Sequence, residues 1–92
     1  MDYGKYIIIE MRGVEVAIIF DSIIAHSDFC NSFHKDRVKS AGFFSVKSTP
    51  NENDPEDISV GVWGKSTTLK ISSRTEDKNL IKRVLRADDY NW

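Results

Sequence analysis

The sequence predicts an α+β domain with the element order β-β-α-β-β-β-α. We expect an antiparallel sheet built from two hairpins and a middle strand, with two helices packed mainly on one face. Residues 6–20 (YIIIEMRGVEVAIIF) are two β-branched apolar runs separated by Arg12-Gly13, a pattern typical of a β-hairpin. Residues 58–71 form a second such pattern, and residues 22–33 and 73–86 have the apolar periodicity of amphipathic helices.

The first hairpin has two apolar faces if Arg12-Gly13 is a two-residue loop. One face then consists of the pairs Met11–Val14, Ile9–Val16 and Ile7–Ile18. The other consists of Tyr6, Ile8, Ala17 and Ile19, with Glu10 opposite Glu15 near the turn. A three-residue loop would pair Ile9 with Glu15 and mix the faces, so we prefer the first register. A helix or a second copy of the chain should cover the second face.

A helix should follow the hairpin, with Asp21 or Ser22 as its cap and Phe33 near its end. A third strand is predicted over residues 38–46, with Gly42 as a weak or bulged point. Residues 48–56 (STPNENDPE) contain both prolines and little apolar surface, which predicts a mobile acidic loop.

The second hairpin should turn at Gly64-Lys65, because glycine at the first turn position suits a type II′ turn. Its apolar face is formed by the pairs Ile58–Ile71, Val60–Leu69 and Val62–Thr67, whereas its other face is polar except for Trp63. The last helix begins with a capping box of Ser73 and Glu76. Its predicted buried stripe is Leu80, Ile81, Val84 and Leu85, and residues 88–92 form a C-terminal tail.

The composition describes a single domain over residues 1–92, with 40% hydrophobic and 29% charged residues. The net charge of -1 provides no global field that would attract nucleic acid or an anionic membrane. The one cysteine, Cys30, excludes an intramolecular disulfide and suits a reducing compartment. No apolar run approaches the length of a membrane span, so we expect a cytoplasmic protein without a membrane partner.

The sequence contains no catalytic or cofactor motif, and we therefore expect no enzyme, no cofactor and no metal. His26, Cys30 and His34 recur at intervals of four residues, but the two histidines would be about 12 Å apart in one helix, too far to share an ion. The segment 65–86 contains seven basic residues against two acidic ones. The simplest explanation of this charge pattern is that the basic residues and those of the neighbouring acidic loop compensate each other on a solvated surface.

The element order of residues 22–87, α-β-β-β-α, resembles in topology that of the double-stranded-RNA-binding domain. That family's second helix opens with a lysine-rich motif, whereas here it opens with Thr75-Glu76-Asp77, which would repel phosphate. The loop that carries a Gly-Pro-x-His pattern in the family is acidic here. The resemblance therefore concerns topology only and implies no site residues.

The chain as a whole resembles short, uncharacterised proteins of bacteriophages and bacteria. The resemblance rests on its size, on the N-terminal hairpin and on the segments AGFFSV (41–46), SVGVWGKS (59–66) and SRTEDKNLIKRVL (73–85). It implies no activity, but it favours a small accessory or host-interaction protein, encoded by a phage or another mobile element.

The function that we predict is that of a small non-enzymatic interaction or accessory module, which binds another protein or itself as a homodimer. An exposed tryptophan beside cations suits either an interface anchor or a base-stacking platform. The alternative is therefore RNA binding through the basic segment 65–86 together with Trp63. The predicted contact surface is Trp63, Lys65, Thr68, Lys70, Lys78, Lys82, Arg86, Tyr90 and Trp92.

Overall fold

The computed structural model describes residues 3–24, 37–67 and 69–90 as an α+β fold. Four antiparallel strands form the main sheet in the order β2-β1-β3-β4. A short two-stranded sheet, β5-β6, and one helix complete it. The elements are β1 (Tyr3–Met11), β2 (Val14–Phe20), β3 (Val38–Ser48), β4 (Ile58–Trp63), β5 (Lys65–Ser66), β6 (Ile71–Ser72) and α1 (Asp77–Tyr90).

The predicted register of the first hairpin is confirmed. The observed pairs include Ile7–Ile18, Ile9–Val16 and Met11–Val14. Arg12 and Gly13 both have positive φ, 54° and 81°, as a type I′ turn requires. Glu10 and Glu15 lie opposite each other, but each is paired with a cation: Lys39 Nζ is 3.2 Å from Glu10 Oε2, and Arg74 Nη2 is 2.8 Å from Glu15 Oε1. The like charges are thereby compensated.

Both faces of β1 are buried, and two different segments cover them. On one side, called the helix face here, Tyr6, Ile8 and Phe44 pack against Ile81 of α1, and all four are fully buried. The described residues cover the opposite side over only part of its area. There Leu69 and Ile71 pack on a second cluster consisting of Ile7, Ile9, Phe20, Val38 and Ala41. The chain thus builds two cores around one central strand.

The prediction of two helices is wrong, because the described residues contain a single helix, α1. Residues 22–24, where the sequence predicts the first helix to begin, form a turn instead. The Asp21 side chain closes that turn by accepting the N–H of Ile23 (3.0 Å), and the Asp21 carbonyl accepts that of Ile24 (3.1 Å). An aspartate that bonds its own following backbone favours a turn as readily as a helix start. Residues 25–33 of that predicted helix lie outside the described residues.

The predicted second hairpin is also wrong. Residues 58–63 pair with β3, while residues 65–66 pair with residues 71–72 in the separate small sheet. Gly64 adopts a positive φ of 77° and turns the chain out of the main sheet. Burial explains the difference, since pairing with β3 completes the main sheet and frees Leu69 and Ile71 to pack on its second core. The local turn signal is overridden by this packing.

The start of α1 differs from the predicted capping box. Ser73 Oγ donates to the Gly64 carbonyl (2.9 Å), and the side chain at the helix start that bonds to the backbone is that of Asp77, whose Oδ2 accepts the N–H of Arg74 (2.9 Å). The predicted buried stripe of α1 is confirmed, since Leu80, Ile81, Val84 and Leu85 all pack in the helix-face core. The predicted bulge at Gly42 is wrong, because the register shift lies between Ile8 and Ile9 of β1.

Candidate functional site

The predicted basic ridge of α1 is largely neutralised by the acidic loop. Lys82 Nζ donates to Asp57 Oδ1 at 3.0 Å, and Arg86 Nη1 donates to Asp54 Oδ2 at 2.8 Å. The hydrogen bond from Lys82 lowers the pKa of Asp57, which keeps its carboxylate charged. Lys78 remains exposed at the surface. Two of the three ridge cations therefore bind within the chain, so a phosphate would have to compete with these carboxylates.

The structure separates the predicted contact residues into three places. Lys78, Lys82 and Arg86 lie on α1, which packs on the helix face. Trp63 projects from the opposite side of the sheet, and Lys65 and Lys70 are exposed on the β5-β6 segment that follows it in the chain. Tyr90 is the last residue of α1, and the structure describes its backbone only. Thr68 and Trp92 lie outside the described residues. The ridge and Trp63 are thus not one surface.

Trp63 is held at the surface by an aromatic stack. Its ring lies 6.1 Å from the ring of Phe43 with an interplanar angle of 20°, while 50% of the residue stays exposed. Such near-parallel pairs add about 0.5–1.5 kcal/mol beyond their area burial. Phe43 is the direct cross-strand partner of Trp63. The indole is therefore oriented before a ligand binds. A ligand that stacks on it would cause little further loss of side-chain entropy in Trp63.

Trp63 ends a row of side chains that crosses all four strands. Phe20, Lys5, Phe43 and Trp63 are successive cross-strand partners in β2, β1, β3 and β4. Lys5 Nζ lies 6.0 Å from the centre of the Phe43 ring and donates to the Ile24 carbonyl (2.9 Å). Sequence reasoning missed Phe43 as a support of Trp63, because its neighbour Phe44 lies on the opposite face and only the β3-β4 register tells the two apart.

The part of the sheet beyond this row that no described segment covers is named the open face. By the strand register it consists of Tyr3, Lys5, Phe43, Ser45, Lys47, Ser59, Gly61 and Trp63. Tyr3 is 67% exposed. Among the described residues of this face there are three aromatic rings, two lysines and no carboxylate. It combines apolar area with positive charge in an otherwise slightly acidic chain.

Strand β4 is an edge strand, and no described strand pairs with its outer side. Beside that outer side, a cleft of about 380 Å³ lies between the start of β4 and α1. It is lined by Thr49, Asp57, Ile58, Ser59, Val60, Lys78, Asn79 and Lys82. An edge strand exposes a row of N–H and C=O groups that can pair with another chain. The outer side of β4 is therefore a surface where an added strand would have space for its side chains.

A buried network of charged and polar groups lies at the start of α1. Tyr6 Oη donates to Asp77 Oδ2 (2.6 Å), and Arg74 Nε donates to Asp77 Oδ1 (2.9 Å). Arg74 also donates to both carboxylate oxygens of Glu15, at 2.8 and 3.4 Å. The hydrogen bond with Glu15 raises the pKa of Arg74 and lowers that of Glu15. The network joins the helix to β1 and β2.

The Tyr6–Asp77 pair within this network is inaccessible to a substrate, because both residues are fully buried. Burial raises the pKa of the Tyr6 phenol, and the Asp77 carboxylate raises it further. The phenol therefore stays protonated and acts as a hydrogen-bond donor. Sequence reasoning missed the network, although an arginine three residues before an aspartate at a helix start is a local signal for part of it.

The comparisons with known proteins identify no relative: no family model, no curated protein and no solved structure matches the chain. In the part of the chain that the structure describes, no helix combines the length and the apolar character needed to cross a bilayer. In that same part, no three His, Cys, Asp or Glu side chains are grouped so that they could hold a metal ion.

Proposed function

We propose that the chain is a non-catalytic protein-binding module that receives an extended segment of a partner along the outer side of β4. The observation that carries this proposal is the exposed, stacked Trp63 at the end of an edge strand whose outer side pairs with no described strand. Strand addition takes its affinity from main-chain hydrogen bonds and its specificity from side-chain contacts at alternate positions. Along β4, the outer side supplies main-chain N–H and C=O groups, and Trp63 supplies a side-chain contact.

Trp63 serves as the anchor of this site. An added strand would place one residue directly beside Trp63, extending the row of Lys5, Phe43 and Trp63 by one position. Tryptophan is enriched among residues whose truncation costs a binding interface more than about 2 kcal/mol. Since Phe43 occupies the inner side of the indole, the side toward the added strand is the one that a partner would cover.

The cleft beside β4 supplies the second half of the contact. Ile58 and Val60 belong to the helix-face core and also line this cleft. An apolar side chain on the same face of an added strand would pack against them. The strand would thus be held on both faces, by the indole on one and by Ile58 and Val60 on the other.

Strand addition can be tested with a displayed library of ten-residue peptides. We expect the wild-type chain to select peptides that protect the backbone amides of β4 from hydrogen exchange. Trp63→Ala should weaken their binding about thirtyfold. Tyr3→Ala is the matched control, because Tyr3 is an exposed aromatic residue of the same face, on the inner strand β1, and its loss should leave the affinity unchanged.

Two outcomes would contradict the proposal. One is selection of peptides that bind Trp63→Ala as well as they bind the wild type. The other is protection that falls outside β4. Circular dichroism of both variants must first show an intact fold, because Trp63 also packs on Phe43.

A second candidate function is binding of single-stranded nucleic acid on the open face. The observation that favours it is the combination of Tyr3, Phe43 and Trp63 with two lysines and, among the described residues, no carboxylate. Bases stack on such rings with little regard to sequence. This site replaces the predicted segment 65–86, of which Lys82 and Arg86 are ion-paired within the chain.

The nucleic-acid candidate predicts that single-stranded RNA binds in fluorescence anisotropy with a log–log salt slope of about -1.4, from two phosphate contacts. Tyr3→Ala and Trp63→Ala should both weaken it, and Lys47→Glu should reduce the slope. Of these two aromatic residues, strand addition depends on Trp63 and not on Tyr3, so the Tyr3→Ala variant separates the two functions. Anisotropy that stays flat at low salt would exclude this candidate.

A further inference from the structure

We infer that the extended segment received by β4 is β4 of a second copy, so that two chains form a two-fold dimer with one continuous antiparallel sheet. This inference rests on strand addition along β4, the proposed function above, and names its partner. It follows from the distribution of charge along β4, from the sizes of its residues and from the symmetry of antiparallel pairing.

The two ends of β4 have opposite charge. Before the strand, the acidic charge is that of Glu56, which is exposed, because Asp54 and Asp57 are already ion-paired with Arg86 and Lys82. Directly after it lies Lys65, also exposed, with Lys70 on the same β5-β6 segment. Antiparallel pairing of two copies brings the acidic end of each strand to the basic end of the other, twice, by symmetry. Parallel pairing would instead bring like charges together.

The symmetry of the pairing also preserves the faces of the sheet. A two-fold axis perpendicular to the sheet keeps both helices on one side and both open faces on the other. With the axis at Gly61, Val60 lies opposite the partner's Val62. The apolar pair of Val60 and Val62 continues the helix-face core across the boundary, because both residues belong to that core.

The same register accommodates the two indoles. It places Trp63 opposite the partner's Ser59 and diagonal to the partner's Gly61. Both are small: Gly61 has no side chain, and a Cβ there would meet only Ser45 Oγ, at 3.2 Å. Each large aromatic residue therefore lies over a flat part of the other copy. Trp63, 50% exposed in the single chain, would be covered in the dimer.

The first test is the mass of the full chain in sedimentation equilibrium over a wide range of protein concentrations. We expect a species of twice the 10.5 kDa chain mass that dissociates on dilution. Trp63→Ala should raise the dimer dissociation constant about thirtyfold, while Tyr3→Ala leaves it unchanged. A chain that stays monomeric, or a dimer that tolerates Trp63→Ala, would overturn the inference.

A charge-exchange experiment tests the antiparallel arrangement itself. Glu56→Lys makes both ends of the strand basic, and Lys65→Glu makes both ends acidic. We expect each variant alone to dimerise severalfold more weakly, and an equimolar mixture to recover the wild-type affinity as a heterodimer, because exposed charge pairs have modest energies. Failure of the mixture to recover would contradict antiparallel pairing.

The inference and the proposed function fail separately. If the chain is monomeric but peptides selected from the library still protect β4 and depend on Trp63, then a different protein supplies the strand. If neither the dimer nor the peptides depend on Trp63, both proposals are wrong. A monomer that gains mass only with single-stranded RNA would overturn the inference in favour of the open face as a nucleic-acid site.

Discussion

Replacing Asp77 with alanine is expected to lower the free energy of unfolding by about 3 kcal/mol in urea denaturation followed by circular dichroism. The substitution removes the acceptor for both Tyr6 Oη and Arg74 Nε, and it leaves the buried phenol without this partner. It also removes the acceptor of the Arg74 N–H, and such a hydrogen bond contributes about 1 kcal/mol. The value is at the low end for a buried ion pair, because the Arg74 side chain is 28% exposed.

The matched control for Asp77→Ala is Glu76→Ala. Glu76 is the preceding residue and an exposed carboxylate, so its loss should change stability by no more than about 0.5 kcal/mol. Tyr6→Phe should cost about 1 kcal/mol, because Asp77 keeps its two bonds from Arg74. Equal effects of Asp77→Ala and Glu76→Ala would show that the network does not hold α1 against β1 and β2.

Gly42→Ala is expected to cost about 2 kcal/mol or more, the second largest effect. A Cβ at this position would lie 2.7 Å from the Trp63 carbonyl oxygen and 3.0 Å from Ser73 Cβ. The first of these atoms belongs to the backbone, so relief requires that the end of β4 moves away from β3. Thermal unfolding measures the loss, and the fluorescence of Trp63 in a Trp92→Phe background reports the movement.

Gly61→Ala provides the comparison for Gly42→Ala in the same pair of strands. The added methyl group would meet only Ser45 Oγ, at 3.2 Å, and that side chain can rotate away. We expect a loss below about 1 kcal/mol and no change in the fluorescence of Trp63. If the two alanine variants were equally stable, the close approach of β4 to Gly42 would be contradicted.

The parts of the fold that could be predicted are those with local patterns. The register of the first hairpin follows from two apolar runs and a two-residue turn, and the buried stripe of α1 follows from helical periodicity. The second hairpin could not be predicted, because its turn signal at Gly64-Lys65 competes with a non-local pairing of β4 to β3. The periodicity of the sequence does not show which of these two pairings is more stable.

The candidate site was predictable only in part, for the same physical reason. An alternating strand with a single large aromatic residue on its polar face points to Trp63 as an exposed residue. Its stacking partner Phe43 and the ion pairs of Lys82 and Arg86 depend on contacts between segments that are distant in the chain. The Tyr6–Asp77 bond joins residues 71 positions apart, which no motif records.

The late position of the covering segments constrains how the chain folds during its synthesis. The four strands of the main sheet are complete by Trp63, but the described segments that bury it, residues 69–71 and α1, come from the last quarter of the chain. In a nascent chain, the apolar strands would thus be exposed to solvent before either of these two covering segments has been synthesised. We expect the folded state to form in one late, cooperative step, and truncations before α1 to aggregate rather than retain a partial fold.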